Sequence, residues 1–124
     1  REKLAQMAEA NGRVARMLNQ AAAAILVCGD LDRAFPPAPD FWVIDAAIAA
    51  QNMTLAANDL GIGSVWLGTW PDEKRVKRQA AIFQLPETIV PHSILALGYP
   101  AEDIDMRAVR PSRYEENRVH VNQW

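Results

Sequence analysis

The segment FWVIDAAIAAQNMTLAANDLG, residues 41–61, constrains the chain more than any other stretch. Ile44, Ile48 and Leu55, with Ala46, Ala47, Ala49, Ala50, Ala56 and Ala57, leave little polar surface. Asp45, Asn52 and Asp59 recur every seven positions, along one slowly drifting polar stripe. This pattern predicts a long helix, with Asp40 as N-cap and Gly61 at C′. So many alanines allow close backbone approach on several sides. Two packings satisfy them: against the chain's own sheet alone, or against that sheet and a second copy of the helix.

The helix runs straight into GIGSVWLGTW, residues 61–70, where SVWLGT (64–69) reads as a strand. Two further strands are predicted. AAAILVC (22–28) is short and apolar, and HSILALGY (92–99) is apolar on both faces, as a strand in the sheet interior must be. REKLAQMAEANGRVARML has helical spacing at Leu4, Met7, Ala8, Val14, Met17 and Leu18, interrupted by Gly12. GDLDRAFPPAPD (29–40) holds three prolines in four residues and reads as a loop. Thr69 and Asp72 have the spacing of a helix start. The helix they predict runs to about Phe83, with Val76, Ala80 and Phe83 inward and Lys74, Arg75, Lys77 and Arg78 as a charge run, either a solvated face or a surface that attracts an anionic ligand. Beyond Pro100 the chain turns polar and ends on Trp124, which suggests a strap with an anchored end, lying across the domain or across a partner.

At 124 residues one domain, 1–124, is the default. The net charge of −2 gives no general affinity for nucleic acid or an acidic membrane surface. Cys28 is the one cysteine, so no intrachain disulfide can form, and with only His92 and His120 no zinc spacing exists. No apolar run approaches the ~20 residues of a membrane span.

Three stretches could carry chemistry. In GIGSVWLGTW the glycines permit close backbone approach to a ligand, and Trp66 and Trp70 offer flat apolar surface. The glycines follow a helix and open a strand, the reverse of a dinucleotide fingerprint, and a tight helix-to-strand connection explains them equally well. In RAVRPSRY, Arg107, Arg110 and Arg113 are spaced three apart, and guanidinium forks suit a phosphate as well as they suit solvent. His120 has no evident nucleophile or substrate partner and reads as structural or interfacial. No GxSxG elbow, HExxH or phosphate loop is present.

In this order, FWVIDAAIAAQNMTLAANDLGIGSVWLGTW, LGYP and RPSRYEENRVHVNQW resemble the C-terminal portion of the nitroreductase family, with ILVCGD as the strand before the central helix. The resemblance implies an α+β fold: a central mixed sheet flanked by helices, with the long central helix at a homodimer interface. It implies FMN between subunits, hydride from NADH or NADPH, and nitroaromatic, quinone or similar electron-poor acceptors, in a cytoplasmic enzyme. Trp66, Leu67 and Gly68 would run along the flavin, with backbone N–H near its reactive N5. Arg113 would grip the FMN phosphate with Arg110 as helper, although Pro111 and Ser112 separate the two where the family commonly has closer basic neighbours. Phe41 and Trp42 would cover the acceptor side, and Trp124 would belong to a tail reaching over the partner. Flavin carries the chemistry, so no catalytic side chain and no metal is expected. The family's arginine-rich RRSxR-like and PSxxNxQPW-like segments are not in these residues, and the first helix corresponds to the stretch downstream of those segments. Two alternatives stay open. One is the same fold with another flavin reaction, such as dehalogenation, ring oxidation or flavin breakdown. The other is a flavinless dimerisation domain.

Overall fold

The structure, a computed structural model, describes residues 1–105, 108 and 111–124. Three strands, β1 (Ala23–Asp30), β2 (Gly63–Gly68) and β3 (Ile89–Gly98), form one sheet in the order β1-β3-β2. β3 is central, as its two apolar faces require. Among the described residues both pairings are antiparallel, so the mixed sheet implied by the resemblance is not met within them.

The helices divide between the two faces of the sheet. On one side lie α1 (Glu2–Asn11), a 3-10 segment (Arg13–Asn19) and α3 (Glu73–Phe83). There Met7, Ala8, Ala15 and Leu18 pack with Leu67, Ile94 and Ala96. On the other lies α2 (Trp42–Asp59), whose Ala46 and Ala50 pack on Val27 and Leu95. Strand residues alternate between these two clusters, as the period of two demands.

α2 ends as its sequence predicts. Gly61 has φ +72°, its N–H donates to Asn58 O at 3.1 Å, and Ile62 N–H donates to Ala57 O at 2.8 Å. This is a Schellman motif, whose left-handed residue favours glycine. The start differs. A 3-10 turn, Pro39–Phe41, leads into the helix, and Asp40 makes no cap hydrogen bond to it. Within one chain α2 fully buries only Ala46, Ala50 and Ala57, while Ile44, Ile48 and Leu55 are more than half exposed.

The first helix breaks at Gly12, where its sequence pattern is interrupted, and continues as a 3-10 segment. Three other expectations are corrected. α3 is capped by Asp72, which accepts from the N–H of Lys74 (3.0 Å) and Arg75 (3.2 Å); Thr69 is buried elsewhere. α3 fully buries Gln79, whose Nε2 donates to Met7 O at 2.9 Å, whereas Phe83 is partly exposed beneath Lys3 Nζ. The described tail from Ala101 onward is exposed throughout, and Trp124 wholly so. A strap buried across its own domain is therefore ruled out for the described tail. Trp124 instead stacks on His120, ring centroids 4.4 Å apart. No helix among the described residues is long and apolar enough to cross a membrane.

Candidate functional site

Among the described residues the glycine–tryptophan strand β2 forms one edge of the sheet. Its register sets what it offers. Thr69 N–H donates to His92 O at 3.1 Å, and β2 continues the antiparallel pattern with Leu67 opposite Ile94 and Val65 opposite Ala96. Hydrogen-bonded positions alternate in such a pair. The N–H and C=O groups of Gly68 and Trp66 therefore turn away from β3, toward the open edge. Gly68 O confirms the parity: it accepts from Asn11 Nδ2 at 3.1 Å and from Arg75 Nη1 at 3.2 Å, neither of which belongs to the sheet.

The side chains at this edge split by face. Leu67 is buried in the core with Ile94, and its N–H and C=O fall on the ladder side, so it presents neither side chain nor hydrogen-bonding group to the edge. Trp66 lies opposite Leu95, on the α2 face, and is partly exposed. A Cβ added at Gly68 would meet no atom within 4 Å, so the surface beside that peptide is open.

An aromatic cluster flanks the strand. Trp42 meets Trp70 edge-on with centroids 5.1 Å apart and His92 at 6.0 Å; His92 in turn meets Trp66 at 6.2 Å. His92 reaches this position because the β1–β3 register slips between Val27 and Cys28, which face Ser93 and Pro91. The extra residue is a β-bulge, which re-aims a side chain. His92 Nδ1 lies 3.1 Å from Ser93 Oγ, and burial holds its pKa below the ordinary imidazole value. The ring is thus neutral near pH 7.

Of the residues singled out from sequence, Trp66, Leu67 and Gly68 lie together on the free edge. Trp42 joins them through the aromatic cluster, while neighbouring Phe41 is exposed on the turn before α2. Arg113 is exposed on the tail. Arg110 and Arg107 lie outside the described residues. Sequence reasoning missed Asn11, Thr69 and His92, and it read Arg75 only as part of a charge run. A buried asparagine, threonine and histidine carry no local spacing that separates them from surface residues. Arg75 could have been suspected only from its place one turn into a helix that starts beside Gly68.

Comparison with known proteins gives this arrangement a context. The profile of the nitroreductase family matches residues 2–99. A candidate NADH dehydrogenase/NAD(P)H nitroreductase of Methanothermobacter thermautotrophicus is 41% identical over 108 residues, which are 87% of this chain and 53% of that protein. The chain thus spans about half of that relative's length. Among solved structures, a candidate NADH dehydrogenase/NAD(P)H nitroreductase from Bacteroides thetaiotaomicron superposes with a TM-score of 0.85 at 40% identity, covering 100% of this chain and 68% of that one. An FMN-dependent nitroreductase from Clostridium difficile gives 0.82 at 26% identity, covering 99% and 70%. With the matched profile running through every strand of the sheet and all three α-helices, the chain belongs to the nitroreductase family.

Proposed function

We propose that this chain binds FMN and, with NADH or NADPH as hydride donor, serves reduction of nitroaromatic, quinone or similar electron-poor acceptors. The observation that carries the reading is the free edge of β2. Two outward N–H groups, at Trp66 and Gly68, lie beside a partly exposed indole, and the surface at Gly68 is open. A planar ligand whose rim accepts hydrogen bonds fits this edge, and a flavin is such a ligand. When bound, FMN supplies the hydride chemistry; the protein supplies binding, orientation and electrostatics.

The chain's own residues divide that work. Gly68 N–H is the donor aimed at the reactive rim. Trp66 offers apolar surface, and Leu67, between them, holds the strand to β3. Arg113 is the phosphate-gripping cation, helped by Arg110; a guanidinium fork pairs two phosphate oxygens at once. Phe41 and Trp42 bound the acceptor side, Trp42 held in place by Trp70 and His92. A neutral His92 adds no charge there, so proton supply falls to solvent or donor.

The same reading includes a homodimer. Ile44 and Ile48, four apart on one helix face, are exposed in the single chain together with Leu55. Burying such side chains is worth about 1.5–3 kcal/mol each. A second copy of α2 is their proposed cover, and the exposed tail with Trp124 is proposed to lie across that partner. The proposed setting is the cytoplasm, where NAD(P)H is available.

The test is a visible absorbance spectrum of the purified protein, then release and identification of the chromophore. A flavin spectrum releasing FMN is expected, with acceptor turnover on nitro compounds or quinones. A protein that stays colourless with added FMN would refute the reading. Unchanged FMN affinity in Arg113→Ala would refute the phosphate assignment alone. Inertness toward both nitro compounds and quinones, with flavin bound, would move the reaction to another acceptor class.

A further inference from the structure

We propose that Asn11 is a positioning residue for the ligand edge of β2. With Thr69 and Arg75 it clamps the Gly68 carbonyl, and so steadies the strand end whose Gly68 N–H is presented to FMN. The inference rests on the FMN reading above and concerns how that donor is held.

Asn11 ends α1 and is 1% exposed. Both ends of its amide are committed. Oδ1 accepts from Thr69 Oγ1 at 3.0 Å, and Nδ2 donates to Gly68 O at 3.1 Å. Reversing the amide would set Oδ1 against a carbonyl oxygen. Gly68 O can only accept, so Nδ2 must face it, and the Thr69 hydroxyl, itself 1% exposed, donates to the Oδ1 that this leaves. Arg75 adds a second donor to the same carbonyl at 3.2 Å, and its Nε is paired with Asp72 at 3.2 Å. Asp72 in turn caps α3. One carbonyl is thus gripped from α1 and from α3.

The grip matters because of where Gly68 sits. It is the last residue of an edge strand and has no side chain to pack. The ladder holds the chain on both sides of it, at Leu67 and through Thr69 N–H to His92 O. Its own carbonyl accepts from no strand and faces the free edge. Gripping that oxygen from outside the sheet limits rotation of the peptide that follows Gly68, and so stiffens the strand end on which its N–H is presented before any ligand arrives. Pre-organisation of this kind strengthens binding by removing the cost of ordering the donor. A fully satisfied buried network also rigidifies whatever it touches.

A merely structural network would affect folding and leave ligand binding alone, so the test separates the two. The full chain is compared with Thr69→Val, which removes the hydroxyl at constant shape, with Thr69→Ser, which keeps it, and with Arg75→Met. Binding of oxidised and of reduced FMN is measured by titration, the midpoint potential of bound FMN by dye equilibration, and the ligand-free Tm by calorimetry. Oxidised FMN accepts at N5, whereas reduced FMN carries a hydrogen there. Loosening the donor should therefore weaken the oxidised form about ten-fold in Thr69→Val and Arg75→Met and spare the reduced form. The potential then rises by about 30 mV, the two-electron equivalent of ten-fold. Thr69→Ser should restore wild-type behaviour. Unchanged affinity and potential in both loosening variants, or equal weakening of both redox states, overturns the proposal whatever the Tm. Should Thr69→Val fail to fold, Arg75→Met, on a partly exposed side chain, decides alone. A wild-type chain that takes up no FMN overturns the proposed function, and this inference with it. A wild type that binds FMN beside indifferent variants overturns only this inference.

Discussion

Gly29→Ala tests the contact that joins the sheet to the aromatic cluster. Gly29 lies in β1 beneath the indole of Trp42. A Cβ built there would sit 2.8 Å from Trp42 Cδ2 and 3.0 Å from Cζ3, with Cε3 closer still. Carbon atoms settle near 3.5–4.0 Å, so the indole must retreat by roughly 1 Å. It cannot do so freely, because the same ring meets Trp70 at 5.1 Å and His92 at 6.0 Å and opens α2. Overpacking of this kind costs about 1–3 kcal/mol. For 124 residues, an unfolding entropy of about 2.1 cal/mol/K per residue makes 1 kcal/mol worth roughly 4 °C in Tm. The expected fall is therefore about 4–12 °C.

The opposing term is real. Alanine loses less backbone entropy than glycine on folding, by about 0.5–1 kcal/mol. The two effects separate in a double-mutant cycle with Trp42→Leu. In that background the clash is gone, and Gly29→Ala should be neutral or stabilising by up to ~1 kcal/mol. The coupling between the two sites is then about 1 kcal/mol or more. Urea unfolding followed by far-UV circular dichroism measures all four proteins at one protomer concentration, since association shifts apparent stability. If Gly29→Ala costs the same in both backgrounds within ~0.5 kcal/mol, the steric account of Gly29 is wrong.

Asp72→Ala removes the cap of α3 and the anchor of Arg75, and should cost about 1 kcal/mol, or roughly 4 °C by calorimetry. Asp72→Asn should recover most of it. Burial pushes the Cys28 thiol up to about 11. At pH 8 its thiolate fraction is then about two orders of magnitude below that of a free cysteine. Labelling by iodoacetamide should be correspondingly slow in the folded protein and rise nearly ten-fold per pH unit between 8 and 10; fast labelling at pH 7 would contradict the burial. His92 has its folded pKa lowered by burial, so below about pH 6.5 the unfolded chain binds more protons than the folded one at this site. Its contribution to stability is fully present above that pH and is lost as pH falls toward the folded pKa. Tm should drop from pH 7 to pH 5.5, and His92→Gln should flatten that dependence.

How much of this molecule its sequence discloses depends on the reach of each determinant. The end of α2 is legible because a Schellman motif is local: Ala57, Asn58, Gly61 and Ile62 are close neighbours in sequence. The interior position of β3 is legible because a strand covered on both faces needs an unbroken apolar run. The start of α3 is not. Thr69 and Asp72 have equivalent capping chemistry, and what removes Thr69 from the contest is Asn11, 58 positions away. Phe83 and Gln79 trade places for a similar reason, since the Met7 carbonyl, 72 positions away, provides Gln79 with a buried partner.

The candidate site divides along the same line. Gly68 and Trp66 stand out by residue type, yet nothing local tells which way their N–H groups point. That direction follows from β2 being an edge strand in register with β3, a property of the whole sheet. The clamp on Gly68 goes further still, drawing on α1, the end of β2 and the first turn of α3 at once. Trp124 shows the converse case: a terminal aromatic suggests an anchor, and among the described residues of a single chain the ring it stacks on is His120. The exposed Ile44 and Ile48 show it too. In each case the sequence marks a side chain that needs a partner, and the partner belongs to a level of organisation above the segment. For Asn11 that level is the tertiary fold. For Ile44, Ile48 and Trp124 it is, in the proposed homodimer, the second protomer.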